Sequence, residues 1–211
     1  MPNTTLELLL ARNRNYAVRL SKNDSEYFSR HTAGQSPRCL WIGCADSRVP
    51  VDIMLQSSPG ELFVLRNVAN QVLAHDDGMM SGIEYALNSL QVETVIICGH
   101  TQCGGVDFAG VMAITPGHNF QETPLHRQIK PLSQMLLKHI QRYPALRQLP
   151  QDHLSRLFVE ANVRQQIKQL QQTALFQAVS QKRQVEIYGC VYDLKTGIVD
   201  VLTDDENEVP G

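Results

Sequence analysis

Val95-Ile96-Ile97-Cys98-Gly99-His100-Thr101-Gln102-Cys103 reads as a buried strand that ends in two potential metal ligands. The run is apolar without a helical or alternating period, which predicts a strand covered on both faces. An earlier stretch repeats the arrangement: Leu40-Trp41-Ile42-Gly43-Cys44-Ala45-Asp46-Ser47-Arg48. In an open α/β sheet, ligands bind beyond the carboxyl ends of the strands, and both half-sites fall there. Two thiolates, Cys44 and Cys103, and one imidazole, His100, fill three corners of a zinc tetrahedron and leave the fourth for water or a carboxylate. Asp46 and Arg48 follow Cys44 by two and four residues, beside that corner. This is the layout of a catalytic site rather than a structural one.

The remaining chain extends the pattern. Apolar runs at 39–43, 62–65, 92–98 and 185–192 predict strands of a parallel sheet, and 198–202, which alternates through Asp200, predicts an edge strand. Between them, 79–90 places Ile83, Ala86, Leu87 and Leu90 on one side of a helix. A second helix, 129–140, repeats at Ile129, Leu132, Leu136 and Ile140. A third, 152–170, repeats at Leu154, Leu157, Phe158, Ala161 and Val163, then Ile167 and Leu170, with Asp152 as its cap. Pro131 is expected in or before the first turn of its helix, where a missing N–H costs nothing. Cys103-Gly104-Gly105-Val106 reads as a helix entry, where a thiolate gains from free N–H groups and the helix dipole.

The opening stretch reads as helical to about Thr32, with Leu6, Leu9 and Leu10 on one face. Asp24 is expected to cap a short helix through Tyr27 and Phe28 that Gly34 ends. This arm, 1–34, has little apolar surface of its own and is expected to pack against something else, such as a second subunit. Residues 114–124 read as an ordered loop, and the acidic 204–211 as a frayed tail. Strands alternating with helices predict an α/β fold: a mostly parallel central sheet flanked by helices, with an N-terminal helical arm, in a single domain over 1–211.

The 211 residues are 43% hydrophobic, enough for one sizeable core, and their net charge of -2 gives no argument for a nucleic-acid partner. No positive region precedes an apolar core near Met1, and Leu8-Leu9-Leu10-Ala11 is too short to span a bilayer, so neither a secretory leader nor a membrane is expected. Five cysteines, an odd number, favour metal-binding thiols in a reducing compartment, the cytoplasm, over a disulfide scaffold. Cys39, Cys98 and Cys190 read as small buried apolar residues. His31, His75, His118, His126, His139 and His153 fit no motif and are expected to be solvated surface residues.

Zinc in such a donor set acts by acidifying water, whose pKa falls from 15.7 to roughly 7 in a favourable site. Two thiolates donate more negative charge than imidazoles, so the hydroxide is expected chiefly on the alkaline side of neutrality. Asp46 either accepts a hydrogen bond from that hydroxide or moves onto the metal and closes the fourth corner. Arg48 would hold it off by a bidentate charge-assisted pair.

Three strings carry a resemblance to a known family: Cys44-Ala45-Asp46-Ser47-Arg48-Val49-Pro50, Phe63-Val64-Leu65-Arg66-Asn67-Val68-Ala69-Asn70, and Cys98-Gly99-His100-Thr101-Gln102-Cys103-Gly104-Gly105-Val106. They are similar to the β-class carbonic anhydrases, closely from about Gln35 to Val106 and more loosely beyond. The resemblance implies that family's fold, a Zn2+ cofactor, and reversible hydration of carbon dioxide to bicarbonate and a proton by zinc-bound hydroxide. It implies Cys44, His100 and Cys103 as zinc ligands, Asp46 and Arg48 as the catalytic dyad, and Gln35, Phe63 and Tyr85 as substrate-pocket residues. An apolar pocket suits a substrate with no net dipole. It further implies a homodimer or homotetramer whose pocket is completed at a subunit boundary. Ala45 stands where the family commonly has Ser, and Thr101 where it often has an aromatic residue or Ser, at the expected edge of the cleft.

One subclass of the family has a Trp three residues before the first Cys, where Trp41 stands; Arg66 and Tyr192 match the other two positions of its non-catalytic bicarbonate site. That resemblance implies allosteric inhibition by bicarbonate and low pH, with Asp46 closing onto zinc. Without the family, Phe63, Tyr85, Trp41 and Tyr192 would read as core aromatics and Arg66 as a surface cation. Two other functions stand beside this one: hydrolysis of carbonyl sulfide or carbon disulfide on the same fold, and a catalytically silent bicarbonate-binding module. The intact Asp46–Arg48 pair argues against the silent module. The absence of a CxxC argues against a redox thiol protein.

Overall fold

The computed structural model describes residues 4–115 and 120–203. The predicted tail 204–211 and His118 lie outside the described residues. The chain divides into two compact units, one up to Ser36 and one from Pro37 onward.

The first unit is built on helix α1, Thr5–Asn23, which opens with a full capping box: Thr4 accepts from the Glu7 N–H while the Glu7 carboxylate accepts from the Thr4 N–H. No residue of α1 is buried, and Leu6, Leu9 and Leu10 are exposed. The short helix expected after Asp24 is instead a turn followed by a 3-10 segment, Ser29–His31. Asp24 ends α1, and its carboxylate turns back to accept from the Glu26 N–H and to pair with Arg30. That local bonding replaces the cap it was expected to form.

The second unit is a five-stranded sheet in the order β2-β1-β3-β4-β5. Its strands are β1 (Cys39–Cys44), β2 (Leu62–Asn67), β3 (Thr94–His100), β4 (Glu186–Tyr192) and β5 (Val199–Val201). The first four run parallel, and β5 pairs antiparallel with β4 at the edge. Buried Leu40, Ile42, Val95 and Ile97 explain the unbroken apolar runs: β1 and β3 are central strands, packed on both sides. Both strands run one or more residues further than the apolar signal, so that Cys44 and His100 are each the last residue of a strand.

Helices α2 (Val51–Leu55), α3 (Asp77–Glu84), α4 (Gly104–Ile114), α5 (Pro124–Arg142), α6 (Gln151–Gln172) and α7 (Ala174–Ser180) complete the unit. The first and last were not foreseen; α2 spans only five residues and α7 seven. The predicted loop at 114–124 is shortened from both ends, since Ile114 closes α4 and Pro124 opens α5.

Pro131 departs most clearly from expectation, for it lies inside α5. The helix starts earlier because Thr123 caps it, accepting from the His126 N–H, and Pro124 fits its first turn. An interior proline costs about 3 kcal/mol. The buried stripe of Ile129, Leu132, Leu136 and Ile140 offsets that cost. Asp152 does not cap α6, whose cap position is Pro150; Asp152 sits exposed in the first turn. The helix predicted at 79–90 begins at Asp77 under an Asp76 cap and widens into a π-helical turn, Tyr85–Ser89. Among the described residues, no helix is long and apolar enough to cross a membrane.

Candidate metal centre

Cys44, His100 and Cys103 come together: their donor atoms all lie within 4.8 Å of one another, and all three residues are buried. The fold explains the convergence. β1 and β3 are adjacent and parallel, so their last residues emerge side by side at one edge of the sheet. Gln102, in the left-handed region at φ 56°, then turns the chain so that Cys103 becomes the N-cap of α4. The sulfurs of Cys44 and Cys103 are 3.8 Å apart.

The electrostatics suit a cation. The hydrogen-bonded contact with Cys103, opposed by burial, pushes the Cys44 thiol down, aided by His100 and by the N–H groups of Ala69 and Asp46. The same contact, together with burial, pushes the Cys103 thiol up, although the N–H groups of Val106 and Gly105 in the first turn of α4 oppose it. Opposite signs are what two thiols sharing one proton must show. The imidazole is oriented as a ligand: Nδ1 donates to the Thr101 carbonyl at 2.9 Å, which leaves the Nε2 lone pair facing the sulfurs. Nε2 is buried and has no hydrogen-bond partner among the described residues. A soft, two-thiolate, one-imidazole set with an orphaned nitrogen aimed into it fits zinc.

Asp46 and Arg48 border this group. Asp46 Oδ2 lies 3.7 Å from His100 Nε2. The Arg48 side chain donates Nε to Oδ1 at 3.0 Å and Nη2 to Oδ2 at 2.7 Å, and the Arg48 backbone N–H donates to Oδ1 at 2.8 Å. Arg48 Nη2 is anchored in turn by the Gln102 carbonyl at 3.0 Å. The guanidinium holds the Asp46 carboxyl well below the usual carboxylate range, against a smaller opposing effect of burial. The Thr101 hydroxyl accepts from the Leu194 N–H and ties the turn between His100 and Cys103 to the segment just after β4.

A profile of the carbonic anhydrase family matches residues 39–199. The chain belongs to the β-carbonic anhydrases. It is 34% identical to a carbonic anhydrase of Emericella nidulans over 202 residues, covering 95% of this chain and 85% of that one. Against a carbonic anhydrase of Saccharomyces cerevisiae it is 30% identical, covering 95% and 90%. Among solved structures, one of two tetrameric β-carbonic anhydrases from Sordaria macrospora superposes with a TM-score of 0.85 at 29% identity, covering 94% of this chain and 96% of that one. The Coccomyxa β-carbonic anhydrase, solved with acetazolamide, gives 0.84 at 31% identity, covering 95% and 87%. This carbonic anhydrase is a zinc enzyme, and its Cys-His-Cys group is the place among the described residues where the metal fits.

The other expected site residues differ in how near this group they fall, and Tyr192 is the strand partner of His100. Phe63 and Tyr85 do meet, with ring centroids 5.8 Å apart, and Tyr85 is 45% exposed. But Phe63 pairs with Leu40, four residues before Cys44, which sets it about 13 Å back along the strand. Gln35 is exposed and lies in the first unit. Trp41, Arg66 and Tyr192 project from the opposite face of the sheet to Leu40 and Ile42: Arg66 pairs with Gly43, and Trp41 and Tyr192 share a cluster with Val51, Cys98 and Cys190. Trp41 Nε1 is buried without a hydrogen-bond partner among the described residues, and a Cβ on Gly43 would stand only 2.6 Å from it. Arg66 Nε and Nη2 donate to the carbonyls of Cys44 and Asp46 at 2.8 and 2.6 Å.

Cys98 and Cys190 are buried and Cys39 half-buried; burial pushes all three thiols up, Cys39 and Cys190 to about 11. Two histidines depart from expectation, since His126 and His139 are half-buried while His31, His75 and His153 are exposed. Sequence reasoning missed Gln71, Asn162 and Gln166, which form a buried polar network behind the ligand loops. The available signal was polar residues at 162 and 166 on the same face of α6 as Phe158, Val159, Val163 and Leu170.

Proposed function

We propose that this carbonic anhydrase hydrates carbon dioxide reversibly at a zinc ion held by Cys44, His100 and Cys103. The observation that carries the proposal is the pairing of that donor triad with an ionised carboxylate 3.7 Å from its nitrogen. Bound there, zinc would supply an acidified water able to attack carbon dioxide, chiefly on the alkaline side of neutrality. Asp46 acts on the attacking water: Oδ2 accepts its O–H and aims the oxygen lone pair at the carbon. As the C–O bond forms, a π pair of carbon dioxide moves onto its oxygen to give bicarbonate. Arg48 keeps Asp46 ionised and turned toward itself, so the carboxylate serves as an acceptor of fixed orientation rather than as a proton store. The proton leaves to solvent.

The assembly we propose is a homodimer or homotetramer. The unburied α1 supports it, as does the tetrameric state described for the Sordaria macrospora relatives. In such an assembly Phe63 and Tyr85, set back from Cys44 of their own chain, serve the pocket of a neighbouring subunit. The five free cysteines support a reducing, cytoplasmic location. Stopped-flow proton release and sedimentation of one zinc-loaded sample test both parts. Rapid release with carbon dioxide, much slower with carbonyl sulfide, and a mass of two or four chains are expected. A fully active monomer, or a preference for carbonyl sulfide, would contradict them.

Inhibition by bicarbonate is a second proposed property, favoured by the orphaned Trp41 Nε1 on the face that also carries Arg66 and Tyr192. A buried N–H without a partner costs about 1–3 kcal/mol, which an anion accepting from it would recover. In this reading, Arg66 leaves the Cys44 and Asp46 carbonyls to bind bicarbonate, and the loop carrying Asp46 is freed to turn the carboxylate inward. Trp41→Phe keeps the ring and removes the N–H. It should leave turnover at low bicarbonate within about twofold while raising the inhibition constant roughly tenfold. Unchanged inhibition in the variant would remove the site.

A further inference from the structure

Two consecutive non-glycine residues, Ala69 and Asn70, are held in left-handed backbone conformations, at φ 62° and 46°. They lie in the 3-10 turn Val68–Asn70 that follows β2. Such residues cost about 1–3 kcal/mol each and persist only where the surroundings over-determine them. Here the surroundings do so through amides. Asn67 brackets the turn: Nδ2 donates to the Gln71 carbonyl and Oδ1 accepts from the Gln71 N–H, both at 2.7 Å. The Ala69 carbonyl receives two donors, Asn162 Nδ2 at 3.0 Å and Gln71 Nε2 at 2.8 Å. Asn162 Oδ1 accepts from Gln71 Nε2 at 2.8 Å and from Gln166 Nε2 at 2.9 Å, and Gln166 Oε1 accepts from the Val72 N–H at 2.7 Å. Asn162 is completely buried and is the hub of this set.

The turn touches both thiol ligands. The Ala69 N–H is directed at the Cys44 sulfur. Its Cβ and the Val68 side chain press on the first turn of α4, so that a Cβ at Gly105 would meet Val68 Cγ1 at 2.7 Å and Ala69 Cβ at 3.1 Å. Gly105 is the residue whose N–H faces the Cys103 sulfur. One small turn therefore sets an N–H toward the Cys44 sulfur and packs against the helix turn that Cys103 caps.

We propose that Asn162, from helix α6, is a positioning residue for the metal thiolates: by holding the Ala69 carbonyl it fixes the backbone of the left-handed turn, and with it the Ala69 N–H that faces Cys44 and the packing of Val68 and Ala69 against Gly105, two residues past Cys103. The inference rests on the zinc reading of the triad and deepens it. An N–H bonded to a thiolate withdraws charge from the sulfur and so tunes the metal it binds, and losing such outer partners typically weakens metal binding by about 10–100-fold.

The test compares Asn162→Leu with Gln166→Leu, two buried amides of one network of which only the first touches Ala69. Zinc affinity is read by competition with a chromogenic chelator, and thiolate donation by the sulfur-to-metal charge-transfer band of the cobalt-substituted protein. Asn162→Leu should shift the band and weaken zinc by roughly 10–100-fold; Gln166→Leu should lower thermal stability with the band and affinity unmoved. If Asn162→Leu does not fold, Gln71→Leu, which removes the other donor to the Ala69 carbonyl, carries the same expectation. Wild-type band and affinity in the Asn162 or Gln71 variant, or an equal change in Gln166→Leu, overturns the proposal. A wild-type protein that takes up neither metal fails differently, at the triad itself, and takes the inference with it.

Discussion

Purified Cys103→Ser protein should fold, carry little zinc and lose carbon dioxide hydration. Serine is nearly isosteric with cysteine and is a favoured N-cap residue, and Cys103 occupies the N-cap of α4. Helix and sheet should therefore survive the exchange. A neutral hydroxyl is a far poorer zinc ligand than a thiolate. Structural zinc sites in small peptides bind with about 10–16 kcal/mol, so one donor of a three-residue set accounts for roughly 3–5 kcal/mol, on the order of 10²–10⁴ in affinity. Elemental analysis after dialysis, beside a near-ultraviolet circular dichroism spectrum, reads both halves. Stoichiometric zinc with undiminished turnover in the folded variant would refute the assignment of the ligands.

The second large effect is expected at Arg48. Alanine there removes both side-chain bonds to Asp46 and the anchor on the Gln102 carbonyl, leaving only the backbone N–H bond at 2.8 Å. The carboxylate, already 3.7 Å from His100 Nε2, is then free to turn onto the donor group and block it. Turnover should fall by about 10²–10⁴, matching Asp46→Asn, which removes the acceptor itself. Arg48→Lys should recover only part, since lysine restores the charge but not the two-pronged geometry. Full activity in Arg48→Ala would show that Asp46 needs no restraint.

The pH dependence of the two substitutions differs in kind. The folded pKa of Asp46 lies below its unfolded value because Arg48 bonds it. The ionised group therefore stabilises the fold above about pH 4, and the contribution fades as pH falls through the folded pKa. An acid limb of activity near neutrality is therefore not the protonation of the Asp46 carboxylate itself. A melting-temperature difference between wild type and Asp46→Asn should persist from pH 7 to about pH 4 and shrink below.

The sheet and the meeting of Cys44, His100 and Cys103 were legible because both depend on local signals. Unbroken apolar runs mark strands packed on two faces, and His100 and Cys103 follow one of them within a few residues. Helix boundaries were less legible. Pro131 was expected near a helix start, but Thr123-Pro124 is the stronger start signal, and an apolar stripe of four buried residues carries the proline. The π-helical turn at Tyr85–Ser89 has no such signature; Arg183, nearly a hundred residues later, satisfies the Leu87 and Val92 carbonyls around it. The metal-side role of Asn162 was hidden for a similar reason. Its importance comes from a left-handed peptide some ninety residues away, and only the folded chain brings the two together.

The order of these parts along the chain has a consequence for how the enzyme is made. Cys44, His100 and Cys103 all leave the ribosome before α6 has been synthesised. At about 5–20 residues per second, the brace at Asn162 trails the last ligand by some 3–12 seconds. During that interval a nascent chain holds all three donors while the turn at Ala69 has only its local bonds from Asn67 and Gln71 and lacks the one from Asn162. On the proposal above, metal captured then should exchange about 10–100-fold more readily than once α6 has docked.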